Sequence, residues 1–229
     1  MSATEEHHTV QVLSDGTRIE NTESNAFYRD EQGRTRNEFG PSGATHVMIH
    51  DPVAGYSMML EPESKIAHKM PLPPGGNLTV SFAGAAKSTN EVHAMRAGGF
   101  ALTTEGGNVV FHGDGDMSDA TKEDLGTQTI NGVAAQGTRT TMTIAIGKIG
   151  NDRPIQVVNE RWYSSDLQML VKSSNKDPRF GETTYELTNI DRSVPAAALF
   201  QVPSDYTVQD GPGPKWFTTS AAGGATKAQ

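Results

Sequence analysis

A chain of 229 residues is long enough for one large β domain or two small ones, and a hydrophobic content of 35% leaves it only a thin core. The formal net charge of −8 argues against a basic nucleic-acid-binding face, and no apolar run approaches the ~18 residues of a membrane-spanning helix. Cysteine is absent, as suits an exported protein in an oxidising compartment, and 24 Gly and 12 Pro favour short strands and many turns.

Residues 1–8, Met1-Ser2-Ala3-Thr4-Glu5-Glu6-His7-His8, are polar and acidic and read as an N-terminal tail without signal-peptide character. The chain is then either cytosolic, or exported with its signal removed. From Thr9 to about Asp210 the pattern reads as a single β domain. Thr9-Val10-Gln11-Val12-Leu13 alternates apolar and polar residues, Asp15-Gly16 is a tight-turn signal, and Thr17 to Arg29 returns. Gln32-Gly33 turns the chain into Arg34–Phe39, completing a three-stranded antiparallel meander. His46–His50, Tyr56–Leu60 and Lys65–Met70 follow as strands separated by Asp51–Gly55 and Glu61–Ser64, with turns about ten residues apart.

Pro71-Leu72-Pro73-Pro74 interrupts this rhythm, and residues 71–125 read as an irregular excursion with a short helix near Ser118–Leu125. Thr127–Ile130 leads into Asn131-Gly132, a strong two-residue hairpin signal, and Val133–Ile144 follows as a long strand bent at Gly137. Ile155–Tyr163, Leu167–Ser173 and Thr183–Ile190 are further strands, and Pro195–Phe200 is a short helical turn that caps the sheet. Residues 211–229 are Gly/Pro- and Ala-rich and read as a C-terminal tail.

Trp162-Tyr163-Ser164, Leu170-Val171-Lys172, Thr183 to Ile190 and Leu199-Phe200-Gln201-Val202-Pro203 together resemble the C-terminal half of the bacterial lipoprotein-carrier and lipoprotein-sorting superfamily. The resemblance is good over residues 126–208 and looser over 9–70, where Phe27-Tyr28-Arg29-Asp30 and Ile49-His50-Asp51-Pro52 look like an exported branch of it. It implies a mainly β chain: a single curved antiparallel sheet, a half-barrel of about eleven strands, with a few short helices. It implies a periplasmic or extracellular, non-enzymatic protein without cofactors, holding an acyl chain or a lipidated protein in its concavity. The helices that lid the cavity early in true carriers have no counterpart here. On this reading Trp162, Tyr163, Met169, Tyr185, Leu187 and Phe200 are candidates to line the cavity.

Two other readings stand beside this one, the first resting on the half-barrel that the resemblance implies and the second on the residues. An open half-barrel leaves two sheet edges, which suit self-association into an extracellular polymer. Three His-x-Met triplets, His46/Met48, His68/Met70 and His93/Met95, place an imidazole and a thioether on one face of a strand, a donor pair suited to copper; seven His and nine Met also produce such spacings by chance, with Met filling a core. His112 to Asp119 starts like a calcium loop, but Asp119 and Leu125 stand where the loop needs Gly and Glu. Asp177, Arg179 and Glu182 read as turn charges, and neither they nor Ser164-Ser165 has the spacing of a catalytic set.

Overall fold

Asn131-Gly132 is the sharpest reversal signal in the sequence, and in the computed structural model both residues take positive φ, 48° and 80°, the geometry of a two-residue hairpin turn. The structure describes residues 1–40, 46–72 and 120–211 in full, and the backbone alone of strands Thr79–Phe82, Phe100–Glu105, Asn108–Gly113 and Phe217–Ser220.

In chain order the strands are β1 (Ser2–Val12), β2 (Arg18–Arg29), β3 (Thr35–Phe39), β4 (His46–Asp51), β5 (Tyr56–Glu61), β6 (Ile66–Pro71), β7 (Thr79–Phe82), β8 (Phe100–Glu105), β9 (Asn108–Gly113), β10 (Ala120–Ile130), β11 (Val133–Ile144), β12 (Ile155–Ser164), β13 (Met169–Asp177), β14 (Gly181–Asp191), β15 (Thr207–Asp210) and β16 (Phe217–Ser220). Twelve of them form one open sheet in the order β10-β11-β12-β13-β14-β1-β2-β3-β4-β5-β6-β15. The mainly β expectation holds. Among the described residues the one helical element is a 3-10 turn at Ala197–Phe200, where a short helical turn is predicted. The register is antiparallel except at the β15 edge, where Thr207 to Asp210 run parallel to Ile66 to Lys69.

Three expectations from the sequence need correction. Residues 1–8 are no tail: Ser2 to Val10 pair with β14, which places β1 inside the sheet between β14 and β2. Ser118–Leu125 is no helix over its described residues, because Ala120 onward belongs to β10 and pairs with β11. Within 211–229, Phe217–Ser220 is a strand paired with β7. In each case the segment has little apolar alternation and a partner strand supplies the hydrogen bonds that make it a strand: distant β14 for β1 and distant β7 for Phe217–Ser220, but for β10 its own hairpin mate β11.

Residues 9–210 read as one domain in the sequence, whereas the backbone contacts group the chain into two compact units, Met1–Phe27 with Asp116–Ser193 and Tyr28–Gly115 with Val194–Gln229. Each unit has its own core. In the first, Phe27, Val133, Trp162, Met169, Val171 and Leu187 are buried together, and Asn131 Nδ2 ties the β10–β11 turn to β14 by donating to the Leu187 carbonyl and to Glu186 Oε1, both at 2.9 Å. In the second, Val47, Ile49, Met58, Leu60 and Ala67 alternate along β4–β6 and are covered by Leu199, Phe200, Val202 and Tyr206. Arg36 Nη1 donates to the Leu199 carbonyl at 3.0 Å, and the Arg34 guanidinium lies 5.2 Å from the centre of the Phe200 ring, fixing the 3-10 turn on that face.

Deleting residues 2–8 therefore removes an interior strand rather than a tail. Six cross-strand pairs with β14 are lost, each worth about 0.2–1 kcal/mol, and Leu187 loses part of its cover. The expected result is loss of the cooperative thermal transition of the first unit, measured by circular dichroism and limited proteolysis. An unchanged melting curve would show that β1 contributes nothing.

Candidate functional site

Strands β11, β12, β13 and β14 bring Gly137, Trp162, Lys172 and Glu186 into one cross-strand row, with Arg139 opposite Glu160 two pairs along on the same face. A Cβ on Gly137 would lie 2.5 Å from the Trp162 ring, so the indole rests directly on backbone that only glycine leaves bare. Trp162, Leu125 and Ile130 make the apolar floor of a hollow of about 380 Å³, and Gln128, Arg139, Glu160 and Lys172 make its rim.

The rim charges are paired. Arg139 donates from Nε to Glu160 Oε1 at 2.8 Å and from Nη1 to Glu123 Oε2 at 2.9 Å, and these bonds hold its pKa above the ordinary value. Lys172 Nζ is 3.0 Å from Glu186 Oε2. Burial pushes the Glu186 carboxyl up, but hydrogen bonds from Lys172 and Asn131 and the Lys172 charge outweigh it and leave the group below its ordinary value. The hollow thus offers donors and acceptors in balance around an indole. Side chains alternate across a strand, so Thr138, Thr140, Arg161 and Tyr163 face the other way, where with Lys122 and Leu170 they line a second hollow of about 290 Å³.

A second polar cluster lies on β1. The Tyr185 hydroxyl donates to Glu5 Oε1 at 3.4 Å, and the His7 ring stands 5.2 Å from the Tyr185 ring. Burial pushes the Glu5 carboxyl from its ordinary 4.5 up to about 7, the Tyr185 bond opposing. Burial also raises Tyr185, helped by the Glu5 charge, and lowers His7 against the opposing pull of Glu23. Sequence reasoning missed this cluster, because Glu5 and His7 fall in the stretch read as a tail.

The predicted cavity residues do not converge on one hollow. Trp162 lines the larger, Tyr163 lines the smaller, Met169 and Leu187 are core, Tyr185 is buried beside Glu5, and Phe200 belongs to the core of the second unit. Of the metal candidates, His46, Met48, His68 and Met70 lie on β4 and β6, while His93 and Met95 fall outside the described residues, as does most of the calcium-like loop. Among the described residues no three His, Asp or Glu side chains gather as a metal site. Asp177 is clasped by Arg179 through two side-chain bonds of 2.9 and 2.6 Å, and Glu182 pairs with Lys176, so these turn charges hold the β13–β14 connection.

No family model and no curated protein matches the sequence. Solved structures similar to this chain include LprF from Mycobacterium bovis (TM-score 0.30, 14% identity, 90% of each chain covered) and the lipoprotein LppX from Mycobacterium tuberculosis (0.30, 9%, 85% of this chain and 88% of that one). A LolA-superfamily protein from Nitrosomonas europaea is another (0.32, 9%, 87% and 90%).

Two outcomes follow from the geometry. Gly137→Ala forces the indole to move and is expected to destabilise the first unit by about 1–3 kcal/mol in urea titrations; a variant as stable as the parent would mean the indole does not rest there. The folded chain keeps the Glu5 proton up to about pH 7, while the unfolded chain releases it near 4.5. The folded state therefore binds more protons in that window, and stability falls as pH rises through it. His7 acts oppositely, its protonation opposing folding as pH falls. Comparison with Glu5→Gln isolates the carboxyl: equal stability below about pH 4, and an advantage to Glu5→Gln on the order of 2 kcal/mol above about pH 8, allowing for partial solvation.

Proposed function

We propose that the protein is a non-enzymatic binding protein of the cell envelope or exterior that holds an amphiphile, an acyl chain or a lipidated partner, on the Trp162 face of the first unit. The observation that carries this reading is the hollow of about 380 Å³ with an indole floor and a charge-paired rim. Its volume reaches the range of ligand sites, roughly 300–1,000 Å³. Apolar segments gain by covering Trp162, Leu125 and Ile130, and a polar head finds donors and acceptors already oriented by their mutual bonds. The envelope location rests on the resemblance and on the lack of cysteine; no helix among the described residues is long and apolar enough to cross a membrane.

The edge strands weigh against polymerisation as the main role. β10 carries Lys122, Glu123 and Asp124 and a bulge between Asp124 and Gly126, and β15 is four residues long. Charges, bulges and brevity are the devices that keep an edge from pairing with another chain.

The test is a fluorescence titration with a lysophospholipid, in a Trp216→Phe background that leaves Trp162 as the reporter. A saturable change in emission is expected, and Gln128→Phe, which fills the hollow from an exposed position, is expected to weaken binding at least about tenfold, or 1.4 kcal/mol. Unchanged emission, together with no lipid in organic extracts of the purified protein, would defeat the proposal.

A further inference from the structure

The register of the second unit assembles a set of side chains that no single strand displays. Met48 on β4 stands directly opposite Met59 on β5, and Met59 stands directly opposite His68 on β6. Residues so paired share a face with Cβ atoms about 4.5–5.5 Å apart. Met70, two residues from His68, joins the same face, and Met48, Met59 and Met70 pack together in a cluster of their own. Met59 is 0% exposed and Met70 is 3% exposed, while Met48 and His68 are half-buried.

The surroundings differ from an ordinary core. The opposite face of the same strands is built of Val47, Ile49, Leu60 and Ala67, whereas the methionine face also carries polar groups. Ser57 is fully buried and 3.0 Å from His50 Nδ1. Asn37, directly opposite Met48, has a buried Oδ1 with no hydrogen-bond partner among the described residues, which a purely apolar face does not favour. His68 Nε2 is 3.5 Å from Glu61 Oε1, and Glu61 Oε2 accepts from Ser64 Oγ at 2.8 Å. A carboxylate behind an imidazole in this way orients the ring and leaves Nδ1 for a ligand.

We propose that this face binds a soft monovalent cation, copper(I), through the thioethers of Met48, Met59 and Met70 and the imidazole of His68. Thioether and imidazole donors select copper(I) over the hard cations, which need carboxylates and carbonyls. Glu61 is a positioning residue. The site lies in the second unit and is independent of the Trp162 hollow, so either can fail without the other.

The test is an anaerobic copper(I) titration of the full chain against a chromogenic chelator, with X-ray absorption on the loaded protein. A single tightly held equivalent and sulfur-dominated scattering are expected. Met59→Leu nearly conserves volume and should keep the fold by circular dichroism while weakening binding at least about tenfold. Glu61→Gln should weaken it about 10–100-fold, as second-layer partners of metal-bound histidines do. The proposal is overturned if the parent binds no copper(I), if scattering shows no sulfur, if Met59→Leu binds like the parent, or if binding disappears on changing His7 and His8 to Ala instead.

Discussion

The pairing of β1 with β14 is the constraint on which the first unit depends. It joins the first strand of the chain to one that begins at Gly181, and it continues from Ser2 to Val10 with one irregularity near Ala3. Few of the side chains on β1 are apolar, so the main-chain ladder is the principal tie, supplemented by polar contacts: Thr188 Oγ1 donates to Glu6 Oε1 at 2.9 Å, and Asn189 Nδ2 to Thr4 Oγ1 at 3.3 Å. A strand held in this way positions Glu5 and His7 against Tyr185, and the altered proton affinities of all three follow from that burial.

Each unit meets the demand for shelter differently. The first folds its β10–β11 hairpin so that the Asn131 tip reaches β14, and buries Trp162 against bare glycine backbone. The second lays the residues around the 3-10 turn over one face of β4–β6 and leaves the other to methionine, histidine and serine. A chain with 35% hydrophobic residues has few aliphatic side chains to spare. The placement of polar and sulfur-bearing groups at buried positions is accordingly where chemistry can be read from the fold.

The legible parts of the sequence were those governed by local rules. Asn131-Gly132 announces its turn because αL geometry at two successive residues is tolerated by few other pairs, and β4 announces itself through alternation, with Val47, Ile49 and Asp51 buried between half-buried neighbours. Pro195 to Phe200 was legible as a helical turn. Other site residues were not legible. Arg139, Glu160 and Lys172 read as ordinary strand charges until cross-strand pairing sets them around one indole. Met59 carries no His-x-Met signature, and it stands between Met48 and His68 only through the register of three strands.

By itself the sequence determined the class of structure, a chain of short β segments and turns with a thin core, because turn residues and apolar alternation act within a few neighbours. Tertiary structure alone decided that residues 2–8 form an interior strand, that the contacts divide into two units, and which side chains meet. Those outcomes depend on main-chain hydrogen bonds and register between segments up to about 180 residues apart, such as Glu5 and Tyr185, and a polar strand carries no local mark of the partner that will hold it.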